Sequence, residues 1–208
     1  MHVARFSVIK GKKINPMLLK QLMSSENPQA FNYLGDYFIQ RIEKGETKLI
    51  SLANRYSSEK INPNNILRRT MLHVLCDLAM KGDKRVLRGL LIGAKDKDSA
   101  NRTWAFLGLK NLAEKEVKET LLGLMEITKM EIKEISPSTL TSAAEGLFAL
   151  AKQGVHETLL GLIFIAKASL DVRSLKYAKE GIQYLANLKN KDAQKALRMF
   201  TLTRKVKK

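Results

Sequence analysis

The stretch Ala105-Phe106-Leu107-Gly108-Leu109-Lys110-Asn111-Leu112-Ala113 returns twice with the same skeleton, as Ala143-x-x-Gly146-Leu147-x-x-Leu150-Ala151 and as Ala178-x-x-Gly181-Ile182-x-x-Leu185-Ala186. A weaker copy, Met71-x-x-Val74-Leu75-x-x-Leu78-Ala79, lies upstream, so the four recur at spacings of 34, 38 and 35 residues. The apolar slots fall at i, i+4, i+7 and i+8, the one-sided stripe of a helix that buries one face and leaves the other polar. A unit of this period is one helical hairpin. It is too small to bury its own apolar face and must stack on its neighbours, so the pattern predicts a solenoid, an architecture used mostly for binding.

A second apolar segment precedes each of these stretches. Glu119-Thr120-Leu121-Leu122-Gly123-Leu124 and Glu157-Thr158-Leu159-Leu160-Gly161-Leu162 stand 38 residues apart, and Leu87-Arg88-Gly89-Leu90-Leu91 is a third version. The expected unit is therefore helix, turn, helix. Glycine inside a helix costs about 1 kcal/mol relative to alanine. Its return at Gly89, Gly108, Gly123, Gly146, Gly161 and Gly181 points to close helix crossing rather than to a phosphate loop. The four prolines all follow Asn or Ser, in Asn15-Pro16, Asn27-Pro28, Asn62-Pro63 and Ser136-Pro137. Each pair reads as a helix start: the side-chain oxygen accepts an orphan N–H, and proline at the first helical position has none to lose. Gly82 and Gly154 fit the left-handed position just past a helix end. Ten or eleven helices are expected and no strand.

Asp171-Val172-Arg173-x-x-x-x-Ala178-x-x-Gly181-Ile182-x-x-Leu185 resembles the second helix of a HEAT repeat, and Asp98-x-x-x-Arg102-x-x-Ala105-x-x-Gly108-Leu109 is similar to it in a looser form. The likeness covers roughly residues 46 to 190. The helix near Ser138 departs from it, carrying Thr141 and Ser142 where a basic residue is expected. The resemblance implies an all-α, right-handed α-solenoid of about four HEAT-like hairpins. It also implies that Asp98, Arg102, Asp171 and Arg173 link adjacent repeats. The expected divisions are an N-terminal basic arm and helical cap over 1–45, then repeats over 46–82, 83–116, 117–154 and 155–190. A C-terminal capping helix and basic tail follow over 191–208. Within the amino-terminal part, 15–24 and 27–44 read as two helices, the second with Phe31, Leu34, Phe38 and Ile42 at core spacing.

At 208 residues, with 45% hydrophobic and 27% charged side chains, the composition is that of an ordinary globular protein. No run approaches the 18 apolar residues of a membrane span, and the amino terminus has no secretory pattern. The single cysteine, Cys76, forms no internal disulfide, which suits a reducing, cytoplasmic setting. The formal net charge of +17 is concentrated partly at the ends: Arg5, Lys10, Lys12 and Lys13 at one, and Arg204, Lys205, Lys207 and Lys208 at the other. That charge attracts phosphates and acidic proteins alike.

Nothing in the chain reads as catalytic machinery. His2, His73 and His156 have no ligand-spaced partners and Cys76 no second thiolate, so neither a metal nor a cofactor is expected. Some small basic HEAT-like proteins are alkylpurine DNA glycosylases, which would need a carboxylate beside stacking aromatics. Asp98 and Trp104 are the nearest candidates, but six residues apart they do not share a helix face. Glu145 and Glu180 occupy one slot, just before the repeat glycine, and read as part of a solvated face.

The recognition surface is expected opposite the apolar stripe of the second helices. Thr70, Trp104, Ser142 and Tyr177 share one slot there, and Asp77, Asn111, Ala149 and Tyr184 share another on the same face. Tyr177 and Tyr184 beside Lys176 and Lys179, together with Phe148 and Trp104, suit either a binding face or inter-repeat packing. Ile92, Glu126 and Phe164 share a first-helix slot, so an exposed Glu126 would imply an exposed Phe164. That patch would be covered by the terminal stripe Ala193, Ala196, Leu197 and Phe200, or would anchor another protein. Arg69, Lys176, Lys179, Arg204 and Lys205 are the candidate basic contacts. The expectation is a non-enzymatic adaptor that holds a protein partner, acidic or offering an apolar helix, with no small-molecule substrate. Nucleic-acid binding is the alternative, and membrane-surface attachment through the tail comes third.

Overall fold

The computed structural model describes residues 28–58, 60, 64–169 and 171–205, with side chains from residue 32 to residue 200 and at Gln29. Helix 15–24, the basic arm, the side chain of Phe31, Pro63 and the side chains of the tail, Arg204 and Lys205 included, lie outside the described residues. Among the described residues the chain is all-helical, with ten α-helices and no strand. They are α1 (Pro28–Glu43), α2 (Lys48–Tyr56), α3 (Asn65–Met80), α4 (Leu87–Gly93), α5 (Ser99–Glu114), α6 (Leu121–Leu124), α7 (Pro137–Lys152), α8 (Thr158–Ala168), α9 (Val172–Asn187) and α10 (Lys191–Lys205).

The odd-numbered helices are all 16 residues long and pack side by side in chain order, α1 on α3, α3 on α5, α5 on α7 and α7 on α9. The shorter even-numbered helices α2, α4, α6 and α8 lie between them in sequence, each against its odd neighbours; α2 also touches α4, α4 touches α6, and the 3-10 turn Met125–Lys129 that continues α6 touches α8. Two rows of helices result. The repeat motif of the sequence is the buried stripe of the odd row: Ala105, Leu109, Leu112 and Ala113 of α5 are sealed from solvent, as are Ala143, Leu147, Leu150 and Ala151 of α7.

The odd helices from α3 to α9 begin alike. Asn64, Asp98, Ser136 and Asp171 each hold extended backbone angles and accept a hydrogen bond from the amide three residues on. These caps stand 34, 38 and 35 residues apart, the spacing of the motif itself. Ser136-Pro137 behaves as its sequence suggests; α3 takes Asn64 as its cap, and the expected start at Asn62-Pro63 lies outside the described residues. The extra residues of the 38-residue unit fall before α7, where a 3-10 turn (Ile132–Glu134) lengthens the connection.

The odd helices also end alike. Two residues past each one comes a positive φ, at Gly45, Gly82, Glu116, Gly154 and Lys189. After α3, the amide of Gly82 donates to the carbonyl of Ala79 and that of Asp83 to Leu78, and the other four ends repeat the pair of bonds. This is the Schellman closure, whose left-handed residue favours glycine.

The helical glycines work as sockets. A methyl built on Gly108 of α5 would lie 2.7 Å from Leu90 Cδ2 of α4, and one on Gly146 of α7 2.8 Å from Leu124 Cδ1 of α6. The even helices return the arrangement: Leu109 fills the space at Gly123, and Leu147 the space at Gly161. Each Gly-Leu pair thus receives the leucine of the preceding helix and offers its own to the next. The buried leucines add about 25 cal/mol per Å² of apolar surface removed from water, which outweighs the helix cost of the glycines.

Candidate protein-interaction surface

The outer surface of the odd row is the face on which the sequence places its candidate residues. Phe148 of α7 and Tyr177 of α9 meet with ring centroids 5.9 Å apart and planes tilted by 44°. Lys152 sets its ammonium 4.7 Å above the Phe148 ring, and the Tyr184 hydroxyl donates to the Lys152 carbonyl at 3.2 Å. The three aromatic residues are half-buried, so they form one cluster that packs the α7–α9 seam and still shows a partly apolar surface to solvent. Trp104 joins a different seam: it stacks on His73 of α3 at 4.5 Å.

Thr70, Ser142, Asn111 and Ala149 are buried where their neighbouring helices close over them, and the aromatic members of the two slots, with Asp77, reach the surface. Glu145 is a correction. It does not sit on a solvated face; its side chain is 9% exposed and lies between Lys110 of α5 at 3.3 Å and Arg173 of α9 at 2.7 Å. The slot falls in the seam, where two cations replace the water a carboxylate would otherwise keep. Glu180, with no odd helix beyond it, is exposed and pairs loosely with Lys176 at 3.9 Å. No local motif announces the Lys110–Glu145–Arg173 bridge; the signal was the acid recurring at a slot whose register neighbours are basic.

The remaining basic candidates divide. Arg69 is tied to Asp98 at 3.3 Å, Lys176 to Glu180, and Lys179 of α9 stands in register with the buried Leu72, Phe106 and Ala144. Glu126 is not exposed either: its side chain is 13% accessible, held by Lys129 and Lys95, and Phe164 in the equivalent slot is half-buried against the core.

The Asp and Arg residues of the resemblance all make contacts between helices. Asp98 caps α5 and accepts from Asn65 Nδ2 of α3 at 2.8 Å. Arg102 does not pair with Asp98; it donates to the carbonyls of Asp96 and Lys97, and to that of Glu134 ahead of α7 at 2.7 Å. Asp171 caps α9 and accepts from Thr141 of α7. Beside them, Arg68 and Asp96 form an ion pair whose side chains are almost wholly buried. Burial acts to raise the Asp96 carboxyl, but the Arg68 hydrogen bond, the Asp98 amide and Asn101 together hold it below the usual carboxylate range. The Asp98 carboxyl is likewise held low against burial, by Asn65, the Asn101 amide and Arg69. With its oxygens engaged in this way, Asp98 is a structural cap, and Trp104 packs on His73.

Known proteins offer no match. Neither the protein-family models, nor the curated proteins, nor the solved structures contain one that resembles this chain significantly.

Cys76 is buried in α3, and burial, aided by Asp77, pushes its thiol up to about 12, so it stays a protonated core side chain at neutral pH. No group of three or more His, Cys, Asp or Glu is placed to hold a metal among the described residues, and no helix there is long and apolar enough to cross a membrane.

Proposed function

We propose that this chain is a HEAT-like α-solenoid of four helical hairpins, α2–α3, α4–α5, α6–α7 and α8–α9. In this reading α1 serves as its amino-terminal cap and α10 as its carboxyl-terminal cap. It acts as a non-enzymatic adaptor that holds another protein within a larger cytoplasmic assembly. The observation that carries the reading is the Phe148–Tyr177–Tyr184 cluster on the odd row. Rigid, half-buried aromatic side chains held by a lysine are what a protein interface uses as anchors, since they bring large apolar area at little entropic cost.

The charge pattern supports a protein partner over a nucleic-acid backbone. Arg69, Lys110, Arg173 and Lys176 on this surface each have a carboxylate beside them, so the basic stripe that a backbone-tracking binder needs is interrupted on α3, α5 and α9. The net charge of +17 keeps nucleic acid as the second reading.

The test is capture of tagged protein from its own cells, with and without nuclease, alongside a Tyr177→Ala/Tyr184→Ala variant. A stoichiometric protein that survives nuclease and moderate salt and is lost with the tyrosines sustains the adaptor. Recovery that collapses with nuclease hands the function to nucleic-acid binding.

A further inference from the structure

The even row carries a gap that the repeat itself explains. Gly89, Gly123 and Gly161 stand 34 and 38 residues apart, and 35 residues further on, where the next such glycine belongs, stands Ala196 of α10. At the earlier positions the glycine admits the preceding even helix: a methyl on Gly123 would lie 2.9 Å from Leu91 Cδ2, and one on Gly161 2.9 Å from Met125 Sδ. Ile163 of α8 is in register with Leu91 and Met125. It lines a groove whose far side carries the Ala196 methyl where the earlier units have a glycine. Among the described residues α10 packs chiefly on α9, and an open groove of about 590 Å³ lies between α8 and α10.

The groove has the form and chemistry of a helix seat. Its bed is Ile163 and Ala166 from α8 and Ala196, Met199 and Phe200 from α10. The apolar α10 residues recur at i, i+3 and i+4, and with Asp192 and Lys195 the α10 wall runs from 192 to 200, a little over two turns, or roughly 12 Å, of one helix face. Met199 is 55% exposed. Lys167 and Lys195 stand on opposite walls against one acid, Asp192, and neither lysine is ion-paired among the described residues. We infer that the α8–α10 groove docks an acidic amphipathic helix of a partner protein. Its apolar side chains at i, i+3 or i+4, and i+7 would lie on the bed, and its flanking carboxylates would meet Lys167 and Lys195. The site lies on the even row, away from the tyrosine cluster, so it stands or falls separately from the adaptor surface proposed above.

The test uses the whole protein and a fluorescent 16-residue helical peptide with leucines at that spacing and glutamates flanking them. A lysine-flanked version and a scrambled version of the same composition serve as references, and anisotropy is read at physiological salt. The expected result is saturable binding of the acidic peptide alone, weakened about tenfold or more by Lys167→Glu/Lys195→Glu and by Met199→Glu, whose side chains are exposed or line the open groove. Lys48→Glu/Lys84→Glu changes the net charge equally at a distance, and Tyr177→Ala/Tyr184→Ala alters the other surface; both should leave the affinity unchanged. Equal binding of the scrambled peptide, or equal weakening by Lys48→Glu/Lys84→Glu, would reduce the effect to bulk charge and overturn the proposal. So would self-association of the protein that the groove substitutions abolish, since a second copy would then be the occupant.

Discussion

Gly146 illustrates how a single atom is decided by its surroundings. Alanine there gains about 1 kcal/mol of helix propensity. Its methyl, however, would stand 2.8 Å from Leu124 Cδ1 and 3.2 Å from the Lys110 backbone, in a core with no slack. Overpacking costs about 1–3 kcal/mol, so Gly146→Ala should lower stability by up to about 2 kcal/mol, seen as an earlier denaturation midpoint at unchanged slope. A later midpoint would mean that the socket is not tight. The Arg68–Asp96 pair makes a second prediction. Because the folded Asp96 carboxyl titrates below its unfolded value, its contribution is present above about pH 4 and fades as the pH falls through the folded value. Asp96→Asn should therefore flatten the acid limb of stability against pH. Arg68→Met, which removes the cation and leaves the buried carboxylate uncompensated, should cost about 3–5 kcal/mol at neutral pH. An unchanged acid limb in Asp96→Asn would assign acid sensitivity elsewhere.

Helix ends carry the next prediction. Five 16-residue helices end in the same left-handed turn, but Glu116 and Lys189 occupy a position that glycine fills in the other three. A side chain there costs about 1–2 kcal/mol, part of which glycine gives back through its freer unfolded chain. Glu116→Gly and Lys189→Gly should each raise the melting free energy by up to about 1 kcal/mol, measurable by thermal unfolding, while Gly82→Ala should lower it. Much at this scale could be read in the sequence. The rhythm of Gly-Leu and the caps at Asp98, Ser136 and Asp171 are written in residue types with strong local preferences, so the odd helices fall where the pattern puts them. What escaped was decided by neighbours distant in sequence. Glu145 is buried because Lys110 and Arg173 arrive from other helices, and the α8–α10 groove is lined by residues some thirty apart in the chain.

At the scale of the molecule, each helix among the described residues packs chiefly on its near neighbours in chain order, so cohesion is a chain of short-range links. Trp104, the only tryptophan, reports the α3–α5 seam near the amino-terminal half. Weakening the far half with Gly181→Ala, which crowds Leu162, should move the helical circular-dichroism transition to lower denaturant while leaving the tryptophan transition nearly in place. Coincident shifts would show instead that the array unfolds as one unit. The two edges of the array also differ. Along one edge, the left-handed turns admit no change of length without losing a paired set of bonds. Along the other, the connection before α7 already carries the surplus of the 38-residue unit, with Ile132 and Lys133 exposed at its tip. That edge is where the chain can be edited: a dozen residues spliced between Met130 and Glu131, ahead of the turn and its two backbone bonds, would cost about 1 kcal/mol or less in closure, making it the natural place to attach a label without disturbing either row.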